Sequence, residues 1–117
     1  MTILEKIIIK KREEITASKQ VISLTALQSQ PQFNRDTFSF TAALQRVGSS
    51  GVIAEFKRKS PSKGFVNEHA NAAGITAGYT RAGAAALSVL TDAFLFGGST
   101  EDLLAARNNA IKKRFYY

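Results

Sequence analysis

A chain of 117 residues has room for one domain around one core, and its 44% apolar and 21% charged residues are those of an ordinary globular protein. No run approaches the roughly 18 apolar residues of a membrane span, and the absence of cysteine excludes both a disulfide framework and thiolate chemistry, so a reducing, cytoplasmic setting is expected. The formal charge of +7 raises nucleic-acid binding, but the cations fall in three separate groups rather than one stripe: Lys6 to Arg12, Lys57 to Lys63, and Lys112 to Arg114.

In chain order, residues 2–19 predict a helix. Ile3, Ile7, Ile8 and Ile15 recur at helical spacing, Thr2 and Glu5 form a capping box, and Glu5, Glu13 and Glu14 interleave with the first cationic group as on a solvated helix face. That order is also not the order of a secretory signal. Residues 20–36 read as a polar connection with a short helix at 23–28, and 38–46 as a second short helix that Gly48 to Gly51 break. Residues 52–56 (VIAEF) form a strand-type run. Residues 67–82 predict an Ala-rich helix closed by Gly83, 85–90 (AALSVL) a second strand buried on both faces, and Ser99 or Thr100 the cap of a helix through 110. Strand–helix alternation after 48 predicts a parallel α/β sheet, with an amino-terminal helical extension over 1–47. Two parallel strands leave open edges and bare apolar faces, so self-association through those edges is expected.

The chemistry concentrates in VIAEFKRKSPSKG, residues 52–64. Glu55 lies near the end of a strand, and Lys57, two residues on, projects to the same side while the chain stays extended. An acid and a base at the carboxyl end of a parallel strand stand where α/β proteins build active sites; a structural ion pair at a strand end has the same pattern. His69 has no cysteine or second histidine to complete a metal site, and it reads as part of a polar helix face, as Asp92 and Glu101 read as solvated positions. Gly97, Gly98 and Ser99 before a helix could offer free amides to a phosphate.

Residues 52–64 resemble the signature of indole-3-glycerol-phosphate synthases, approximately I-I-A-E-x-K-x-x-S-P-S-x-G, in Ile53, Ala54, Glu55, Lys57, Ser60, Pro61, Ser62 and Gly64. A second stretch, GAAALSVLTDAFLFGGS at 83–99, is similar to the family's second strand and loop. The resemblance implies the start of a (β/α)₈ TIM barrel of roughly 250 residues, with its first two strands and their helices within 48–117. It implies a carbon–carbon lyase of tryptophan biosynthesis acting on 1-(2-carboxyphenylamino)-1-deoxyribulose 5-phosphate, a small phosphorylated substrate, with no cofactor, no metal, no nucleic acid and no membrane partner. Glu55 and Lys57 become catalytic residues by this resemblance. Ser60 and Pro61 lie in the substrate-covering first loop, and Phe96 either lines the pocket for the anthranilate ring or packs structurally.

After Arg107 the similarity of motifs ends. Where the family continues into a third strand with K-D-F-I-I, this chain reads Lys113-Arg114-Phe115-Tyr116-Tyr117. A reading-frame slip in an A-rich run converts one into the other, which predicts an incomplete barrel inactive alone. A non-catalytic partial barrel that binds a phosphorylated ligand or a complementing chain is the other expectation.

Overall fold

Thr2 opens the first helix by the mechanism its sequence suggests: its hydroxyl accepts the Glu5 amide at 3.1 Å, and the Glu5 carboxylate accepts the Thr2 amide at 2.6 Å. The computed structural model describes the backbone of residues 1–111 and side chains through Asn109. The terminal cations and the aromatic end discussed above, from Lys112 on, lie outside the described residues.

Two compact units divide the chain, Met1–Thr37 and Phe38–Tyr117. The first holds α1 (Ile3–Val21) and α2 (Leu24–Gln28), the latter capped by the Ser23 hydroxyl. Ion pairs one helical turn apart, Lys10 with Glu13 at 3.7 Å and Lys11 with Glu14 at 2.7 Å, run along α1. None of this unit's residues is buried; Ile8, Ile9 and Ile15 are exposed. Helix propensity and capping, rather than a core of its own, specify its secondary structure.

The second unit runs α3 (Phe40–Gln45), β1 (Ile53–Phe56), β2 (Lys59–Ser60), β3 (Gly64–Phe65), α4 (Ala72–Arg81), β4 (Ala86–Val89), α5 (Ala93–Phe96) and α6 (Thr100–Ile111). Strands β1 and β4 pair in parallel, with Ile53 opposite Ala86 and Glu55 opposite Ser88. The ladder is extended at both ends: Val52 O accepts from the Ala85 amide at 2.9 Å, and Phe56 O from the Leu90 amide at 3.1 Å. Alternation then sorts the side chains. Phe56, 2% exposed, packs with Ala70, Ala72, Ile75, Tyr79 and Val89; Ala54 packs with Ala84, Leu87 and Tyr79. Helix α4 covers this face and packs in turn on α6. Among the described residues the core is built mostly of alanine, with Phe56 the largest fully buried side chain.

Several expectations shift. Helix α4 starts at Ala72 rather than 67, because Asn71 and not Asn67 caps it by accepting the Gly74 amide at 2.9 Å. His69 therefore lies in the loop ahead of α4 instead of on a helix face. In β4, Ala86 and Leu87 are buried, whereas Ser88 and Val89 are only half-buried, so burial on both faces holds for half the strand. The sequence reading missed two elements, the antiparallel β2–β3 hairpin and the single turn α5.

Candidate active site at the carboxyl ends of the parallel strands

Parallel pairing puts the carboxyl ends of β1 and β4 together, so the segments that leave them meet: the Arg58 amide donates to Phe96 O at 3.3 Å. The period-two alternation persists two residues past the strand and divides four consecutive side chains. Phe56 and Arg58 go to one side, the Arg58 guanidinium lying 5.1 Å from the Phe56 ring centroid. Glu55 and Lys57 go to the other, the Lys57 ammonium 3.7 Å from the Glu55 carboxylate.

The Glu55–Lys57 pair is open to solvent, with side chains 47% and 43% exposed. Ser88, directly across the ladder from Glu55, donates its hydroxyl to the Glu55 carboxylate at 3.1 Å. The Glu55 carboxylate thus gathers one ammonium and one hydroxyl around it. Ser88 was not singled out from the sequence; the strand register reveals it.

Arg58 faces a different environment. Its guanidinium grips the Asp102 carboxylate with both terminal nitrogens, one at 2.9 Å and the other closer. It also donates to Ala70 O and Gly97 O, each at 3.0 Å. Side-chain exposure is 18% for Arg58 and 11% for Asp102. The hydrogen bonds from Arg58 hold the Asp102 carboxyl below the usual carboxylate range against the opposing effect of burial, with the arginine's charge and Ser99 adding to the shift. The Asp102 hydrogen bonds likewise raise the Arg58 guanidinium. This bidentate pair ties the segment after β1 to the first turn of α6, where negative charge also suits the helix dipole.

The first loop folds as the β2–β3 hairpin, in which Ser60 ends β2 and Pro61 opens the turn. The Ser60 hydroxyl accepts the Lys63 amide at 3.2 Å and lies 3.3 Å from the Ser62 hydroxyl, while Pro61 is exposed. Phe96, half-buried, ends α5 just before Gly97, which takes the left-handed conformation at φ 64°. Asp92, read as a solvated position, instead caps α5, accepting the Leu95 amide at 2.6 Å. Gly98 is a position only glycine fits: a Cβ there would stand 1.8 Å from Leu90 O. Of the three amides that could meet a phosphate, two are occupied, Gly97 N bonding Ala93 O and Gly98 N bonding Asp92 O. Among the described residues no three His, Cys, Asp or Glu side chains converge as metal ligands would, and no helix is long and apolar enough to cross a membrane.

The parallel β1–β4 pair covered by α4 defines the class, a protein of the α/β type, with a carboxylate and an ammonium side by side at its strand ends. Comparison with known proteins narrows it. The profile described as Indole-3-glycerol phosphate synthase matches residues 4–115, continuing past Arg107, and the chain belongs to that family. An Indole-3-glycerol phosphate synthase of Laribacter hongkongensis is 43% identical over 109 residues, covering 91% of this chain and 41% of the relative. Those of Bacteroides thetaiotaomicron and Leptothrix cholodnii are 46% and 44% identical, each over 90% of this chain, and 40% and 41% of their own lengths are covered. The chain thus spans about two-fifths of the length of the curated relatives it matches.

Proposed function

We propose that this chain provides the first two strand–helix units of a (β/α)₈ barrel, behind an amino-terminal helical extension, and with them one part of the site for indole-3-glycerol phosphate synthesis. In that reaction the ring carbon of 1-(2-carboxyphenylamino)-1-deoxyribulose 5-phosphate attacks the ribulose C2 carbonyl. Carbon dioxide and water then leave, and indole-3-glycerol phosphate remains. Lys57 serves as proton donor to the carbonyl oxygen as negative charge grows there, and its cation steadies that charge. Glu55 orients the ammonium and accepts a proton later in the sequence. Ser60 and Pro61 cover the substrate, and Phe96 packs on the anthranilate ring. Neither metal nor cofactor has a role in these steps.

The observation that carries this reading is the Glu55–Lys57–Ser88 cluster, solvent-open at the strand ends, in a chain of this family. Its test is a spliced enzyme, this chain joined after Arg107 to the segment following the matching position in the Bacteroides thetaiotaomicron relative. Ring closure, followed by the fluorescence of the indole product, is expected from the spliced enzyme and not from the 117 residues alone. Lys57→Ala in the spliced enzyme should lower turnover more than about tenfold, a barrier increase of at least about 1.4 kcal/mol. Undiminished turnover in that variant would remove the proton-donor role.

A second reading, a non-catalytic partial barrel that recruits a complementing chain, is favoured by one feature. Among the described residues no third strand pairs with the outer edge of β1 or β4. Mixing this chain with the remaining segment supplied as a separate polypeptide distinguishes the two, since complementation predicts a stoichiometric complex without covalent linkage. The same edges would support association of two copies.

A further inference from the structure

We propose that Lys59 is a positioning residue for the site just described: its ammonium pins the β2–β3 hairpin against α5 through the rings of Phe65 and Phe94, and so sets Lys57, Ser60 and Pro61 relative to Phe96. The inference rests on that reading of the site, but its geometry stands apart from it. Lys59 Nζ lies 5.1 Å from the Phe65 centroid and 5.8 Å from the Phe94 centroid, both within the roughly 6 Å over which a cation is attracted to a ring face. The rings come from different elements, Phe65 from β3 and Phe94 from α5, so the cation joins the loop after β1 to the loop after β4.

Burial does not hold these rings. Phe65 is 53% exposed and Phe94 67%, so neither is seated by a core, and both flank a lysine that makes no ion pair with a carboxylate among the described residues. A Cβ on Gly97 would stand 3.3 Å from Arg58 Cβ, 3.4 Å from Phe65 Cε1 and 3.5 Å from Lys59 Cγ, so the lysine stem and the ring edge lie beside the glycine that ends α5. Arg58 fastens the root of the hairpin through Asp102, Ala70 O and Gly97 O. Lys59 fastens its flank. With the root held and the flank free, the hairpin could pivot, and Ser60 and Pro61, at its far end, would move most.

Lys59→Met keeps the stem and removes the charge, whereas Lys59→Arg keeps a cation able to stack on both rings. In the 117-residue chain the Lys59 ε-methylene protons should show an upfield ring-current shift that shrinks in Phe94→Leu. Hairpin amides over 59–65 should exchange about threefold faster in Lys59→Met, in keeping with the modest strength of exposed cation–ring contacts, while those of Ala86–Val89 stay unchanged. Unshifted ε-methylene protons or unchanged hairpin exchange would overturn the proposal. In the spliced enzyme, Lys59→Met should lower kcat/KM by about three- to tenfold, with Lys59→Arg restoring it; such rescue follows the cation and not the mere presence of a long side chain. Full kcat/KM in Lys59→Met overturns the positioning role. A spliced enzyme inactive before any substitution overturns the reading of the site instead, and the proton shifts and amide exchange then decide whether Lys59 pins the hairpin.

Discussion

Between Glu55 and Arg58 the chain builds two cation–carboxylate pairs that have opposite surroundings. Glu55 and Lys57 meet at 3.7 Å in solvent, held by one hydroxyl from Ser88. Arg58, the next residue, turns to the helix side and meets Asp102 in a doubly hydrogen-bonded grip that solvent barely reaches. The difference lies in what surrounds the charges. Water screens the first pair and leaves it little to contribute to folding. The second is walled by Phe56, the backbone carbonyls of Ala70 and Gly97, and the first turn of α6, so removing either partner leaves a charge that water reaches only in part. The weakly committed pair is the one that the proposed function assigns to the substrate. A strongly committed one holds the loops that frame it.

That contrast makes measurable claims. The largest effect is expected from Asp102→Asn, which should destabilise the chain to urea by about 3 kcal/mol at neutral pH, near the lower end for breaking a buried pair. The gap should narrow in acid. Because folding holds the Asp102 carboxyl below its usual range, the stability this group contributes is present above about pH 4 and is lost as pH falls through the lower folded value. The unsubstituted chain should therefore lose, on acidification, an increment that Asp102→Asn does not. A constant gap between the two down to strong acid would show that the carboxylate's charge contributes nothing. The smallest effect is expected at the open pair, where Glu55→Gln should change stability by no more than about 0.5 kcal/mol. A loss as large as that of Asp102→Asn would place both pairs in the same structural role and erase the contrast.

How much of this could be read from sequence depended on separation along the chain. The same-side placement of Glu55 and Lys57 follows from alternation within one strand, and the two strands announce themselves as short apolar runs bounded by glycine and turn residues. The cap at Thr2 was legible, whereas the helix that begins at Ala72 was started five residues early because its cap, Asn71, was not singled out. The α5 turn was missed although Asp92 was its signal, because Ala93–Phe96 is too short to show any period. The two-residue strands of the hairpin give none either. The Arg58–Asp102 grip was invisible for another reason. Its partners are 44 residues apart, and nothing local marks one for the other except an acidic first turn on α6.

The same separations have a consequence during synthesis. Glu55 must wait for Ser88, 33 residues later, and Arg58 for Asp102, 44 residues later. At about 5–20 residues per second, β1 spends on the order of two to nine seconds outside the ribosome before its ladder and its clamp can form. Through that interval Phe56, later the largest fully buried side chain among the described residues, has no sheet partner to shelter it. The emerging segment from Val52 to Arg58 is short, apolar at its start and charged at its end. Lys57, Arg58 and Lys59 arrive directly behind the apolar run and act as gatekeepers, repelling other nascent chains until β4 arrives.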